Sequence, residues 1–334
     1  MSKVLVIGPN YFNFLSAVRS AFEDLGWKAY AEGYDNPVHP YNVLNKLRWK
    51  FDSDHDKLVA ASRRSFRKHI EKRFRALKPE LVFIMNGDML TPSTMDFFRN
   101  SARVALWFFD SMDKVKGSGM LARHSDMVFS FEQSDVEMLN ARGVTSYFLP
   151  QAYDSRVYRP LGLERDIDIL FIGNMMYSPK RKDVVNRVIA AFPDRKIEVH
   201  GLYQPWYKGI SAWWHRPHKD IITNANVTPA QANRLYNRAK VVLNVHQEHQ
   251  KCGANPRVFE ILGSGAYQVC DANTFLEVLF SDGGVGLYHS PEEMLSLISE
   301  ALEPGFHSSC PESGVLDGCT FETRMREVLD RMGF

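Results

Sequence analysis

Read for the spacing of its apolar positions, the chain alternates short β-branched runs with longer stretches of helical periodicity. Lys3–Gly8 (KVLVIG) is a continuous apolar run short enough for one buried strand. A tight loop over Pro9–Asn13 precedes a helical pattern at Phe14–Leu25, closed by Gly26, and a second strand at Lys28–Glu32. Asn36–Phe51 is irregular and aromatic, with His39 and Trp49. Asp54–Lys78 reads as one long helix, with Leu58, Ser62, Phe66, Ile70, Phe74 and Leu77 on an inward stripe. Strands at Glu80–Asn86 and Arg103–Phe109 flank a helix from Thr91 to Arg99; Met127–Phe131, Ser134–Ala141 and Ser146–Leu149 read as strand, helix, strand.

Pro150–Arg165, with two prolines, Gly162 and mixed charge, has the composition of a linker. The alternation then restarts. Strands are expected at Asp166–Gly173, Lys196–Gly201, Lys240–His246, Ala266–Asp271 and Val285–His289. Helices are expected from about Lys180 to Phe192, Thr228 to Arg238, Asn255 to Gly263, Thr274 to Phe280, Pro291 to Leu302 and Phe321 to Met332. Glu303–Asp317 is a Pro/Gly/Ser-rich loop. Strand–helix alternation of this kind predicts an α/β protein of two Rossmann-like domains. The boundaries are 1–150, a linker over 151–165, a second domain over 166–318 and a last helix within 319–334.

Composition narrows the class. The 334 residues are 45% hydrophobic and 24% charged, with a net charge of +2, so no global field calls for a polyanionic partner. Cys252, Cys270, Cys310 and Cys319 form no CxxC pair, which argues against a zinc site or a disulfide scaffold. The opening MSKVLVIG enters a strand without a signal-peptide pattern, and no apolar run reaches the roughly 18 residues that span a bilayer. A cytoplasmic protein without a transmembrane segment is the expectation. Charge is uneven locally: the helix over 54–78 carries Arg63, Arg64, Arg67, Lys68, Lys72, Arg73, Arg75 and Lys78. Such a face fits peripheral contact with an anionic membrane, a polyanion, or plain solvation. The loop Leu202–Ile221 gathers Trp206, Tyr207, Trp213 and Trp214 with His215, Arg216, His218 and Lys219, a mixture that suits sugar stacking, an interface, a membrane anchor, or a cluster packed under the loop.

The densest chemistry lies in Lys240–Asp271. Asn255 suits an N-cap and Pro256 the first helical position, so a helix opens just after a strand's carboxyl end. Its free amides and partial positive charge make an anion site. Arg257 sits in the first turn, where a guanidinium reaches the same anion, and Glu260 one turn on could accept from two sugar hydroxyls. Phosphate beside vicinal hydroxyls is what a nucleoside diphosphate presents. The pair also fits an exposed i,i+3 ion pair, and Asn-Pro a plain cap. In the first half Asp88 and Asp110 follow strands, where side chains enter the ligand crevice of a parallel sheet; each also fits a simple turn. Asp166-Ile167-Asp168 has the letters of a metal-diphosphate clamp, but it starts a buried strand. No metal or cofactor is therefore expected.

LNVHQ–NPRVFEILGSGAYQVCD resembles the donor-site segment of the spore-maturation, CgeB-like group of glycosyltransferases. Asp168-Ile169-Leu170-Phe171-Ile172-Gly173-Asn174 with Arg181, Ser125–Phe129, Gly143-Val144, Phe148–Ala152 and Thr320–Arg324 resemble further segments of that group in the same order. The likeness runs from about Ala102 to the end. It implies the GT-B fold: two Rossmann-like domains facing across a cleft, with the C-terminal helix crossing back to the first. It implies Gly173, Asn174 and Arg181 at the donor diphosphate, with Lys180 or Lys182 as substitutes, and Asn226 and Val227 at the base edge. It places Asn10, Tyr11 and Asn13 on the acceptor side and favours Asp110 over Asp88 as catalytic base. Counting back eight positions from Glu260, where many retaining relatives carry a second glutamate, gives Cys252, which leaves the stereochemical outcome open.

The function expected is metal-independent transfer of a sugar from a nucleoside diphosphate sugar to an acceptor hydroxyl. The acceptor is unnamed; an anionic glycolipid, a protein and a nucleic acid all stay open. A sugar-nucleotide epimerase and a non-catalytic sugar-nucleotide or glycan-binding protein are the alternatives.

Overall fold

The computed structural model describes residues 1–10, 13–34, 55–113, 115, 117–204, 217–248, 250, 252–306 and 313–334. Tyr11, His39, Trp49 and the aromatic core of the loop at 205–216 lie outside the described residues. The chain divides into two compact units, Met1–Pro150 with Phe321–Phe334, and Gln151–Thr320.

The first unit contains β1 (Lys3–Pro9), α1 (Phe14–Asp24), β2 (Lys28–Tyr34), α2 (His55–Leu77), β3 (Leu81–Met85), α3 (Pro92–Arg99), β4 (Arg103–Phe108), α4 (Ser118–Arg123), β5 (Met127–Ser130), α5 (Gln133–Ala141) and β6 (Ser146–Phe148). All strands are parallel, in the order β2-β1-β3-β4-β5-β6. The apolar runs are continuous because both faces of the sheet are covered: every residue of β3 is buried. The order reverses between β1 and β3, the switch point where parallel sheets open a crevice at their carboxyl ends. The inward stripe of α2, Phe66, Ile70 and Phe74, packs with Leu5, Val82 and Leu106 in one core.

The last helix, α12 (Phe321–Met332), belongs to this unit. Phe321 is buried and its ring lies 6.0 Å from Phe14 and 6.4 Å from both Phe109 and Trp107. Trp27 and Phe334 meet edge-on at 5.0 Å. Aromatic side chains bring this helix onto the first unit.

The second unit contains β7 (Ile167–Ile172), α6 (Pro179–Ala191), β8 (Ile197–His200), β9 (Ile222–Thr223), α7 (Pro229–Arg238), β10 (Ala239–Asn244), α8 (Pro256–Gly263), β11 (Gln268–Asp271), α9 (Thr274–Leu279), β12 (Gly286–Tyr288), α10 (Pro291–Ala301) and α11 (Ser313–Asp317). Its parallel sheet runs β12-β11-β10-β7-β8-β9, with the switch point between β7 and β10. The Pro150–Arg165 stretch is fastened along this unit: the side-chain oxygens of Asn233 and Asn237 accept from the amides of Arg159 (3.2 Å) and Leu161 (2.6 Å), and Arg165 donates to the carbonyls of Ala239 and Gly265.

Most expected elements are present with ends shifted by one or two residues. Helices α4 and α11 and strand β9 are additional; each is too short to show a period. Asp166 and Asp168 sit at the amino end of β7, away from the crevice, where Asp166 pairs with Arg238 (2.6 Å) and Lys196 (2.7 Å), and Asp168 with Lys240 (2.7 Å).

Phe321→Ala should cost about 3–5 kcal/mol, the range for emptying a buried aromatic site. A lowered urea midpoint for the first unit's transition is the measurement that checks it.

Candidate functional site

The site is built on the switch point of the second unit. Gly201, at φ 137°, passes so close to Gly173 that a Cβ would lie 2.0 Å from the Gly173 carbonyl oxygen. That approach lets the chain after β7 turn sharply. Asn174 continues the turn by accepting from the Met176 amide at 2.9 Å. Ser178 then caps α6, accepting from the Arg181 amide at 3.3 Å. Glu248, from the loop after β10, accepts from the Ser178 hydroxyl (2.9 Å) and the Lys180 amide (3.2 Å). Burial raises the Glu248 pKa, but the backbone, Ser178 and Lys180 hydrogen bonds outweigh it and hold the carboxyl below the usual range. The first turn of α6 is thus already matched by a carboxylate.

Arg181 lies at the ends of β7 and β10. Its side chain is buried, donating from Nε and Nη2 to the Val245 carbonyl at 3.0 and 2.8 Å and from Nη1 to the Asn174 carbonyl at 3.1 Å. It ties the end of β10 to the end of β7 across the switch point. Of a guanidinium's five N–H groups, two stay without a partner among the described residues. Burial, and then the charge of Arg257, pull its pKa down to about 9. Of the two substitutes, Lys180 pairs with Asp271 at 2.6 Å and Lys182 stands over the Tyr203 ring at 4.8 Å.

Asn255 is the N-cap of α8, but its side chain does not cap. It exchanges two hydrogen bonds with the buried Asn244, at 3.0 and 3.3 Å, and Asn244 bonds on to Gln268 at 3.2 Å. The amide ladder holds the side chain better than a single cap bond would, because both of its polar atoms are satisfied in the interior. The consequence is an open first turn. Helices α6, α7, α9 and α10 are capped by Ser178, Thr228, Asn273 and Ser290, while the Arg257 amide of α8 has no partner among the described residues. The half-buried Arg257 guanidinium likewise makes no hydrogen bond or ion pair among them. An uncapped N-terminus, an unpaired guanidinium and the spare donors of Arg181 together fit an anion carrying several oxygens.

Glu260 is not an exposed partner of Arg257. It is 7% exposed, and burial raises its pKa to about 7 against the Arg257 charge and a hydrogen bond from Tyr158. The neighbouring Tyr236 hydroxyl is buried with no partner. Asn226 is exposed and Val227 packs partly on the core just before α7.

Sequence reasoning passed over the group at the ends of β10 and β11. Asp271 accepts from the His246 amide and from its Nδ1, both at 2.8 Å, and Cys270 Sγ lies 3.7 Å from Nδ1. This trio has the chemical types of a metal site. Yet the Lys180 ammonium already occupies the other Asp271 oxygen, and burial pushes the Cys270 thiol up, away from the thiolate a metal needs. It reads instead as a charge-balanced pair bracing the loop ahead of α8. A histidine closing a strand, with an aspartate closing the next, was the available signal.

In the first unit, Asp110 receives the Asn86 side-chain amide at 3.0 Å, and the Asn86 oxygen accepts from the Phe109 amide at 2.8 Å. Asn86 is buried at φ 59°, a left-handed conformation that asparagine tolerates and that clusters at working sites. The single positive-φ Asn after β3 was not legible from sequence. Asp88 accepts from Tyr34 at 2.6 Å. Asn10 is exposed and Asn13, at φ 65°, precedes α1 without capping it.

Two parallel-sheet α/β units, each with a switch point, define the GT-B fold. Residues 181–330 match the model of the family described as Glycosyl transferase-like. The chain is similar to Spore protein CgeB of Bacillus subtilis (strain 168), 22% identical over 215 residues, a match covering 60% of this chain and 66% of that protein, just under two thirds of its length. Among solved structures it is similar to sucrose-phosphate synthase from Thermosynechococcus elongatus (TM-score 0.66, 10% identity, 99% of both chains). It is also similar to HepE of Anabaena, solved with UDP and glucose (0.61, 9%, 100% of both chains). A UDP-GlcNAc 2-epimerase from Methanocaldococcus jannaschii shares the fold (0.57, 12%, 99% of this chain and 100% of that one).

A carboxyl whose folded pKa is raised binds more protons than the unfolded chain between the two values, so its contribution falls as pH rises. From about 4.5 to about 7, Glu260 should therefore lower the stability of the wild type by roughly 3 kcal/mol. In the Glu260→Gln variant this slope should be missing from a pH series of urea midpoints.

Proposed function

We propose that the chain moves a sugar from a nucleoside diphosphate sugar to an acceptor hydroxyl without a metal ion. The observation that carries this reading is the unpaired Arg257 guanidinium above the uncapped first turn of α8. As the bond from the anomeric carbon to the diphosphate oxygen breaks, negative charge collects on the departing diphosphate. Amides and guanidinium groups held in advance stabilise that charge with little reorganisation. Arg257 and the α8 amides meet the phosphates directly. Arg181, fixed on two carbonyls, adds its charge and its remaining donors. The acidic groups nearby, Glu248 and Asp271, are already matched, so the net local charge stays positive. Glu260 accepts the ribose hydroxyls, and Asn226 and Val227 line the base.

Asp110 takes the proton of the acceptor hydroxyl as its oxygen bonds to the anomeric carbon. Asn86 supports this role by donating to one carboxylate oxygen and so orienting the group. Asp88, held by Tyr34, is the weaker base. Asn10, Tyr11 and Asn13 are assigned to the acceptor. The UDP and glucose bound to HepE support a nucleotide sugar as the donor.

Arg257→Ala should weaken nucleoside diphosphate binding about 10- to 100-fold, as loss of a charge-assisted contact does. Thermal shifts with UDP, GDP and dTDP measure it; unchanged shifts would reject the site. Arg181→Ala should instead lower the melting temperature even without nucleotide, because two buried carbonyls lose their donor.

Asp110→Asn should cut slow donor hydrolysis and transfer roughly 100-fold or more while leaving nucleotide affinity intact. EDTA should leave turnover unchanged. A C2-epimer product would favour the epimerase reading, and binding without turnover the non-catalytic one.

A further inference from the structure

The outer face of α2 is strongly basic. The helix spans His55–Leu77 and holds Lys57, Arg63, Arg64, Arg67, Lys68, Lys72, Arg73 and Arg75 against Asp56 and Glu71. Its inner line, Leu58, Ser62, Phe66, Ile70 and Phe74, is buried. At 100° per residue the opposite line is Lys57, Arg64, Lys68, Lys72 and Arg75, all exposed.

The acids within reach neutralise the flank and Arg75 at the ridge's end. Glu32 binds His69 (2.8 Å) and Arg73. Arg67 donates to Thr91 at 3.2 Å. Glu71 meets Arg75 at 3.7 Å, and Arg75 also lies over the Phe97 ring at 4.7 Å. Arg64, Lys68 and Lys72, four residues apart in sequence, have no ion-pair partner among the described residues. Like charges at i,i+4 destabilise a helix, so the sequence keeps a mildly unfavourable arrangement here.

We propose that this ridge is a docking surface for an anionic lipid bilayer. Three arguments select that occupant. The basic side chains run along one line of the helix for about 27 Å from Lys57 to Arg75, at 1.5 Å per residue, so an extended charged surface can meet several of them together. Its remaining exposed positions, such as Ala60 and Ala76, are small, with no large apolar side chain to insert; contact is electrostatic and shallow. It also presents no aromatic, Asn or Gln side chain for stacking on or reading bases, which disfavours a nucleic acid. Among the described residues no helix is long and apolar enough to cross a membrane, so this would be peripheral binding. The inference stands apart from the donor site and survives if that reading fails.

The test is co-flotation of the full chain with vesicles of phosphatidylcholine alone and with about 30% phosphatidylglycerol, at about 0.1 M and about 0.5 M salt. The wild type should float only with the anionic vesicles and be released at high salt. The triple variant Arg64→Gln, Lys68→Gln, Lys72→Gln should lose about fivefold in partitioning per charge, roughly 100-fold together. Its melting temperature should not fall, and its donor hydrolysis in solution should not change. An equal charge change in the second unit, Arg187→Gln, Arg195→Gln, Arg234→Gln, should leave partitioning within about twofold, which separates the ridge from net charge. Equal binding by wild type and ridge variant, or no binding by either, overturns the proposal. So does tighter ridge-dependent binding of a 20-base-pair DNA duplex than of the anionic vesicles at about 0.1 M salt.

Discussion

The second unit depends on one buried cation. Arg181 closes the gap between the ends of β7 and β10, where a doubly wound sheet has no strand to finish the pairing. Two carbonyls that would otherwise face the opening are given donors, and a positive charge is fixed beside the start of α8. Three successive residues at the end of β10 then share the work. Asn244 holds the Asn255 side chain, Val245 holds Arg181, and His246 holds Asp271. Structure and chemistry are the same set of bonds here: the interactions that complete the strand ends also leave the first turn of α8 open.

The arrangement concentrates like charge. Burial, and then the charge of Arg257, depress the pKa of Arg181. A protein tolerates such repulsion when a bound anion relieves it, and the carboxylates present are directed elsewhere, Glu248 to the amides of α6 and Asp271 to His246 and Lys180. In the first unit the logic is different. Asn86 orients a carboxylate rather than a cation, and the strained backbone at φ 59° is the cost of presenting its amide to Asp110.

Much of this was legible in the sequence, for identifiable reasons. Buried parallel strands must be apolar on both faces, so runs such as KVLVIG and VVLNV announced themselves. Asn255-Pro256 after such a run located the start of α8, and the order of short motifs identified the CgeB-like family. Side-chain partnerships were not legible, because they join residues distant along the chain. Nothing local says that Asn255 turns to Asn244, that Arg181 is claimed by the Val245 carbonyl, or that Tyr158 from the fastened stretch keeps Glu260 inside. In each case the residues adjacent in sequence carry no trace of the partner. Asn86 and His246 escaped notice for the converse reason: a polar residue ending a strand is common, and its partner is set by sheet order alone.

The return of α12 to the first unit has a consequence for how the chain is made. Phe14, Phe109 and Trp107 form a socket that Phe321 fills, so the opening Rossmann-like unit stays unfinished while the whole second unit is being synthesised. During elongation that greasy notch faces water or whatever chaperone attends the ribosome. Only when the final turns emerge can the first-born half of the protein become the last to close.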